Sequence, residues 1–318
     1  MTSRVIANAL LRELSFCGEG EPPTDPPSAF AFALDFEPEC VWPDLAYDTS
    51  SPLARYPAEA RDEVRAIIGA VARLAGTRAP KALAFVNAHM ETALACKSAA
   101  IDGASSASNR AHVGGCVLTN IHAPADSVLT CAEALVHESI HQSLYKTELA
   151  DGNFCDLGEA PTFRSPWTGN RIPLHSLVHA CFVWYGLLTL WCQLSRRADG
   201  LAQASLVRDK ASRTMFGFAF VREMFASPAF PLTSVDPGIV AAIECIAGSM
   251  PTLDRVDLEQ STLRDSLRRW ESGDWVAHLA SGLQRIAAFG HASQDRVLAR
   301  IVGTIDSLFA HILRYMFR

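Results

Sequence analysis

The segment from Ala132 to Glu148, AEALVHESIHQSLYKTE, constrains this chain more than any other. It contains His137-Glu138-x-x-His141. On a helix the i,i+4 spacing stacks the two imidazoles on one face, about 6 Å apart, where both can reach one metal ion. A chain of this composition would carry such a string by chance about 0.02 times. Asp126-Ser127 offers an N-cap, and Leu129, Ala132, Leu135, Val136, Ile140 and Leu144 wrap the helix in apolar side chains, which places it in the interior. A buried helix carrying His, Glu and His must pair those polar groups with something, and a metal does so. The competing reading is an ordinary core helix with two hydrogen-bonded histidines.

With 318 residues, 49% of them hydrophobic, the chain has material for a large core. We read a single mainly helical domain over 1–318, with a metal-site core at 100–195 and a helical C-terminal part at 200–318. A net charge of -6 implies no broad basic surface, so neither nucleic acid nor an anionic membrane is an expected partner. Nine cysteines with no C-x-x-C pair suit reduced thiols and a cytoplasmic location, and give no support to a structural zinc ribbon. The amino terminus lacks the apolar run of a signal peptide. The most apolar run, Leu177 to Cys192, is short for a membrane span and includes His179, which fits a buried helix.

A short helical segment opens the chain, followed by a breaker-rich stretch from Glu19 to Pro27. Apolar spacing predicts helices from Pro57 to Ala75 and from Pro80 to Ala99, with His89 on the second as a surface or core-edge residue. The stretch Ile101 to Arg110 is small and polar. Val117-Leu-Thr-Asn-Ile121, bounded by Gly114-Gly115 and Pro124, reads as a short strand whose edge could take an extended peptide by strand addition. Ala150 to Gly169 reads as loop. A very apolar helix from Leu174 to Leu194 then carries His175 and His179 on one face, so that one of them could complete a metal site across the helix pair. Helices are expected at Val207–Phe225, Pro237–Ala247, Leu258–Trp270 and Val297–Tyr315, while His278, His291 and His311 have no partners at metal spacing.

Two enzyme classes use such a motif. In a zinc hydrolase Glu138 would activate the bound water, with Glu159 as third ligand and His179 as a transition-state donor. In a non-haem iron oxygenase, three protein ligands leave positions open for co-substrate and O2; His179 could be the third, and an arginine would hold the co-substrate's carboxylate.

The order of a Ser-rich segment, a Gly-preceded strand, AEALVHExxHQxL, Ser165-Pro-Trp167, Arg171-x-Pro-Leu174 and Leu177-Val-His-Ala180 resembles the 2-oxoglutarate-dependent HExxH-type peptide β-hydroxylases. That family is associated with ribosomally made, post-translationally modified peptides, and the likeness spans roughly residues 100 to 190. It implies that His137, His141 and His179 bind Fe(II), that Arg171 holds the 2-oxoglutarate co-substrate, and that a ribosomally synthesised precursor peptide is hydroxylated at a side-chain β-carbon. His175 falls where members of the family carry a small residue, which leaves His175 and His179 as alternatives for the third ligand. Glu138 stands as a catalytic base or as an anchor behind the ligands, and Tyr145 and Trp167 either line the cleft or pack. The expected fold is mainly α with a small β element: a zincin-like core in which a short strand precedes the HExxH helix, surrounded by helices. The rivals are a zinc-dependent metallopeptidase, with Zn(II) in the same site, and an inactive peptide-binding protein of zincin-like shape.

Overall fold

The computed structural model describes residues 3–14, 29–37, 53–99, 103–121, 127–156, 162–196, 204–228 and 230–250. The expected helices at 258–270 and 297–315 lie outside these, as do Asp126, Glu159, His278, His291 and His311. Contacts divide the chain into two compact units, Met1–Thr214 with Ser234–Ile243, and Met215–Thr233 with Glu244–Arg318. All the candidate site residues among those described belong to the first.

Its elements, in order, are α1 (Ser3–Leu14), β1 (Ala33–Asp35), α2 (Ala58–Arg78), α3 (Pro80–His89), β2 (Thr92–Cys96), β3 (Ser105–Ala107), β4 (Gly115–Thr119), α4 (Ser127–Asp151), β5 (Thr162–Arg164), β6 (Arg171–Pro173) and α5 (Leu174–Arg196). Two further helices, α6 (Ala204–Phe225) and α7 (Pro237–Ser249), begin in the first unit and end in the second. Helix makes up 64% of the interpretable residues, so the chain is mainly α with a small sheet.

The sheet has the order β1-β2-β4-β3. β1, β2 and β4 run parallel and β3 closes one edge antiparallel. Every residue of β4 and all but the first of β2 are buried, as strands covered on both faces must be.

Three expectations change here. The helix expected over Pro80–Ala99 ends at His89, and Thr92–Cys96 is the strand β2. Its Thr-Ala-Leu-Ala-Cys sequence carries helix-forming alanines, but ladder hydrogen bonds to β1 and β4 on either side override that weak preference. The strand expected at 117–121 spans Gly115–Thr119 and lies inside the sheet, so it has no edge to offer a peptide; the edge beside α4 is β3, within the polar stretch 101–110. The loop expected over 150–169 contains β5, which pairs antiparallel with β6 in a small hairpin.

Helix α4 packs against α2, α3, α5 and the strands β3 and β4, which is why apolar residues surround it. Gln142 fixes it to the sheet: its side-chain oxygen accepts the Gly114 N–H at 2.7 Å and its amide donates to the Gly115 carbonyl at 2.8 Å. Gly186 lets α5 approach closely, for a Cβ there would run into Ile140 Cδ1. Helix α5 is long and apolar enough to cross a membrane, and 72% of its apolar window is buried within the protein. No disulfide joins the described cysteines.

Candidate metal centre

One face of α4 carries His137, His141, Tyr145 and Glu148, at intervals of four, four and three residues that keep successive side chains in line along the helix. Opposite them, α5 presents His175 and His179, again one turn apart. The close α4–α5 packing therefore brings together five metal-type donors from two helices. The sequence-predicted pair behaves as its spacing requires, with the rings of His137 and His141 5.0 Å apart.

His179 is the junction. Its Nδ1 lies 3.4 Å from Nδ1 of His141, and its Nε2 lies 3.2 Å from Oε2 of Glu148. Two nitrogens each about 2.1 Å from one tetrahedral ion sit about 3.4 Å apart, so the His141–His179 spacing is that of co-ligands. The Nε2 contact is electrostatically close but off the angle of a hydrogen bond, leaving this ring nitrogen buried without one. His175 closes the cluster: its Nε2–H reaches both oxygens of Glu148, at 2.9 and 3.0 Å, and its ring is 4.2 Å from that of His179. Glu148 also accepts the Phe154 backbone N–H at 3.1 Å.

Among the described residues, Glu148, His175 and His179 form a group whose donor atoms all lie within 4.8 Å of one another, and this group could hold a metal ion. His137 and His141 are not members of it. The chemistry of the set fits a divalent transition metal: imidazole nitrogens and one carboxylate, with a buried nitrogen left unsatisfied by the protein. Glu148 joins the two α5 histidines that the sequence offers as alternative ligands. The legible signal was its place on the His137–His141 face, seven residues beyond His141.

Electrostatics follow from burial. For His141, burial and then the neighbouring imidazoles of His137, His179 and His175 depress the pKa well below the usual value. Burial also lowers that of His179, against the pull of the Glu148 carboxylate, with Arg110 near enough to add to the lowering. Burial opposes ionisation of Glu148, but the hydrogen bond from His175 and the adjacent His179 outweigh it and hold the carboxyl well below the carboxylate range. These directions favour the neutral form of both buried imidazoles and the charged form of the carboxylate, the protonation states that metal binding needs. Burial also pushes the Tyr145 hydroxyl up to about 12, and its ring packs 5.8 Å from that of His141 and 5.3 Å from that of His179.

Glu138 stands apart from this cluster. It is buried, and its two carboxylate oxygens accept hydrogen bonds from Ser106 at 2.7 Å and Ser108 at 2.6 Å, both from the β3 region. The nearest imidazole nitrogen to it, on His137, is 3.9 Å away. The role of the Ser-rich segment was not legible beforehand, because nothing local ties serines at 106 and 108 to a glutamate 30 residues later.

Arg171 is exposed on β6, where its Nε–H donates to the Thr162 hydroxyl and its cross-strand partner is Arg164. Arg110 lies nearer the cluster. It donates to the Asn153 side-chain oxygen at 2.5 Å, next to Phe154, whose ring is 5.7 Å from that of His179. Trp167 is a packing residue: buried, stacked on Trp184, and donating its indole N–H to the Thr214 carbonyl. His89 pairs with Glu13 at 2.6 Å, away from the motif.

No protein-family model matches the chain, and comparison with curated proteins returns no match.

Proposed function

We propose that this chain is a non-haem iron, 2-oxoglutarate-dependent oxygenase that hydroxylates a β-carbon in a side chain of a ribosomally synthesised peptide. The observation that carries the choice is Glu138. A metallopeptidase of this motif needs that carboxylate turned to the metal-bound water as general base. Here both oxygens are occupied by serine hydroxyls and the side chain is buried, so Glu138 acts as an anchor that fixes the helix under the ligands.

In this reading His137, His141 and His179 hold the iron, and the likeness of residues 100 to 190 to the peptide β-hydroxylases supports that set. Bound iron would supply O2 chemistry, with 2-oxoglutarate as reductant converted to succinate and CO2. The chain's own part is to present neutral imidazoles, to pair the co-substrate's distal carboxylate with a guanidinium, and to keep bulk water from the centre. Arg171 is the guanidinium that the resemblance assigns, and the half-buried Arg110 is the one that lies beside the cluster. The zincin-like arrangement of the core belongs to the same proposal, supported by a mixed sheet whose antiparallel edge strand adjoins the HExxH helix. So do the cytoplasmic setting and a precursor peptide as partner.

The test is incubation of a candidate precursor peptide with protein, Fe(II), ascorbate and 2-oxoglutarate, omitting each in turn. The expected result is a peptide heavier by one oxygen with matching succinate, both abolished by His137→Ala. Arg171→Ala is expected to raise the 2-oxoglutarate requirement; a rise in Arg110→Ala alone reassigns the clamp. Peptide-bond cleavage indifferent to 2-oxoglutarate would establish the hydrolase instead. Affinity for a precursor peptide that survives loss of both motif histidines, without turnover, would establish a binding protein.

A further inference from the structure

Two donor sets meet at His179, and they make different demands on its ring. If the ion sits with His137 and His141, then His179 must offer Nδ1 as a lone pair and carry its proton on Nε2. If the ion sits with Glu148 and His175, Nε2 must be the lone pair. The surroundings of Glu148 separate the two. Its carboxylate already takes the His175 N–H on both oxygens and the Phe154 backbone N–H, and it is fully enclosed. A carboxylate so placed, 3.2 Å from the far nitrogen of an imidazole whose near nitrogen is 3.4 Å from His141, has the form of an orienting group behind a ligand.

We infer that Glu148 is a positioning residue for the metal centre: clamped by His175 and 3.2 Å from a His179 Nε2 that has no hydrogen bond in the metal-free protein, it accepts the Nε2–H when an ion takes Nδ1, and so fixes the tautomer and ring angle of the bound ligand. This rests on the ligand set of the proposed function, and it gives the second α5 histidine a task. His175 supplies the N–H that keeps the Glu148 carboxylate facing His179 and fills a site where a water would otherwise compete. Glu148 and His175 are in this account one device, placed on facing helices, with no direct bond to the metal.

The experiment uses the full-length protein and Co(II) as the probe, read by calorimetric affinity, stoichiometry and the visible d–d spectrum, with Fe(II)-dependent turnover measured separately. The wild type is expected to bind one Co(II). Glu148→Gln keeps the shape but removes the charge, and is expected to weaken binding about 10- to 100-fold and to shift the spectrum with stoichiometry unchanged. Glu148→Asp should recover part of the loss, and His175→Ala should lose less than Glu148→Gln. The His137→Ala/His141→Ala double variant should bind no Co(II). Retention of Co(II) by that double variant, with loss in Glu148→Gln, would overturn the assignment by making Glu148, His175 and His179 the ligands. Unchanged affinity and spectrum in Glu148→Gln would overturn it by reducing the pair to packing. If Glu148→Gln does not fold, the double variant and His175→Ala still decide. A chain that binds Co(II) as expected yet forms no succinate sinks the oxygenase reading alone.

Discussion

Glu138 and the buried imidazoles of His141 and His179 show how much a single buried polar group demands of its neighbours. With the Glu138 carboxylate enclosed, each serine hydroxyl removed leaves an oxygen unpaired away from water. Ser106→Ala combined with Ser108→Ala is therefore expected to destabilise the protein by about 2–4 kcal/mol, read as a lower denaturant midpoint at unchanged m-value. His141 and His179 set a pH dependence for the metal-free protein. Their folded pKa values lie below the unfolded value of about 6.5, so the unfolded chain binds more protons as pH falls past that point. Stability should be full above about pH 6.5 and decline below it, with His179 contributing a slope of up to about 1.4 kcal/mol per pH unit. Glu148 is also depressed, so its contribution is lost only at pH below the ordinary carboxylate range, outside that window. Thermal melts of metal-free protein between pH 7 and 5 check this; a His179→Gln variant should show a shallower decline.

At the scale of elements, the site exists because α4 and α5 lie close enough for their histidine faces to meet. Gly186 sets that approach, and Ile140, beside His141, fills the space a side chain would need. Gly186→Ala is expected to cost about 1–3 kcal/mol through overpacking, since Ile140 is itself fully buried and has little room to turn. Because the shift falls between the two ligand-bearing helices, Co(II) affinity should fall with stability, measurable by calorimetry beside a melt. The sheet makes the other anchor. Gln142→Leu would orphan the Gly114 N–H and the Gly115 carbonyl, and should destabilise by about 2–3 kcal/mol in denaturant titration. The helices α2, α4 and α5 were readable from apolar spacing, because long periodic segments carry their own signal. Strand β2 was not, since five residues rich in alanine become a strand only when β1 and β4 flank them. β3, three small residues at the sheet edge, likewise becomes a strand only by pairing with β4.

For the whole molecule, a metal that binds the folded chain alone should stabilise it by mass action. Saturating Co(II) at about 100 times its dissociation constant should add about 2.7 kcal/mol, visible as a rise in melting temperature that a chelator reverses and that the His137→Ala/His141→Ala double variant lacks. The amino-acid sequence by itself determined the HExxH face, the apolar burial of its helix and the pairing of His175 with His179, because each is set by spacing along one helix. It could not determine that Glu138 is tied to Ser106 and Ser108, that Glu148 stands behind His179, or that Arg110 lies nearer the cluster than the exposed Arg171. Those facts join residues roughly 30 to 70 positions apart. Only the packing of α4 between the sheet edge and α5 brings them within reach of one another.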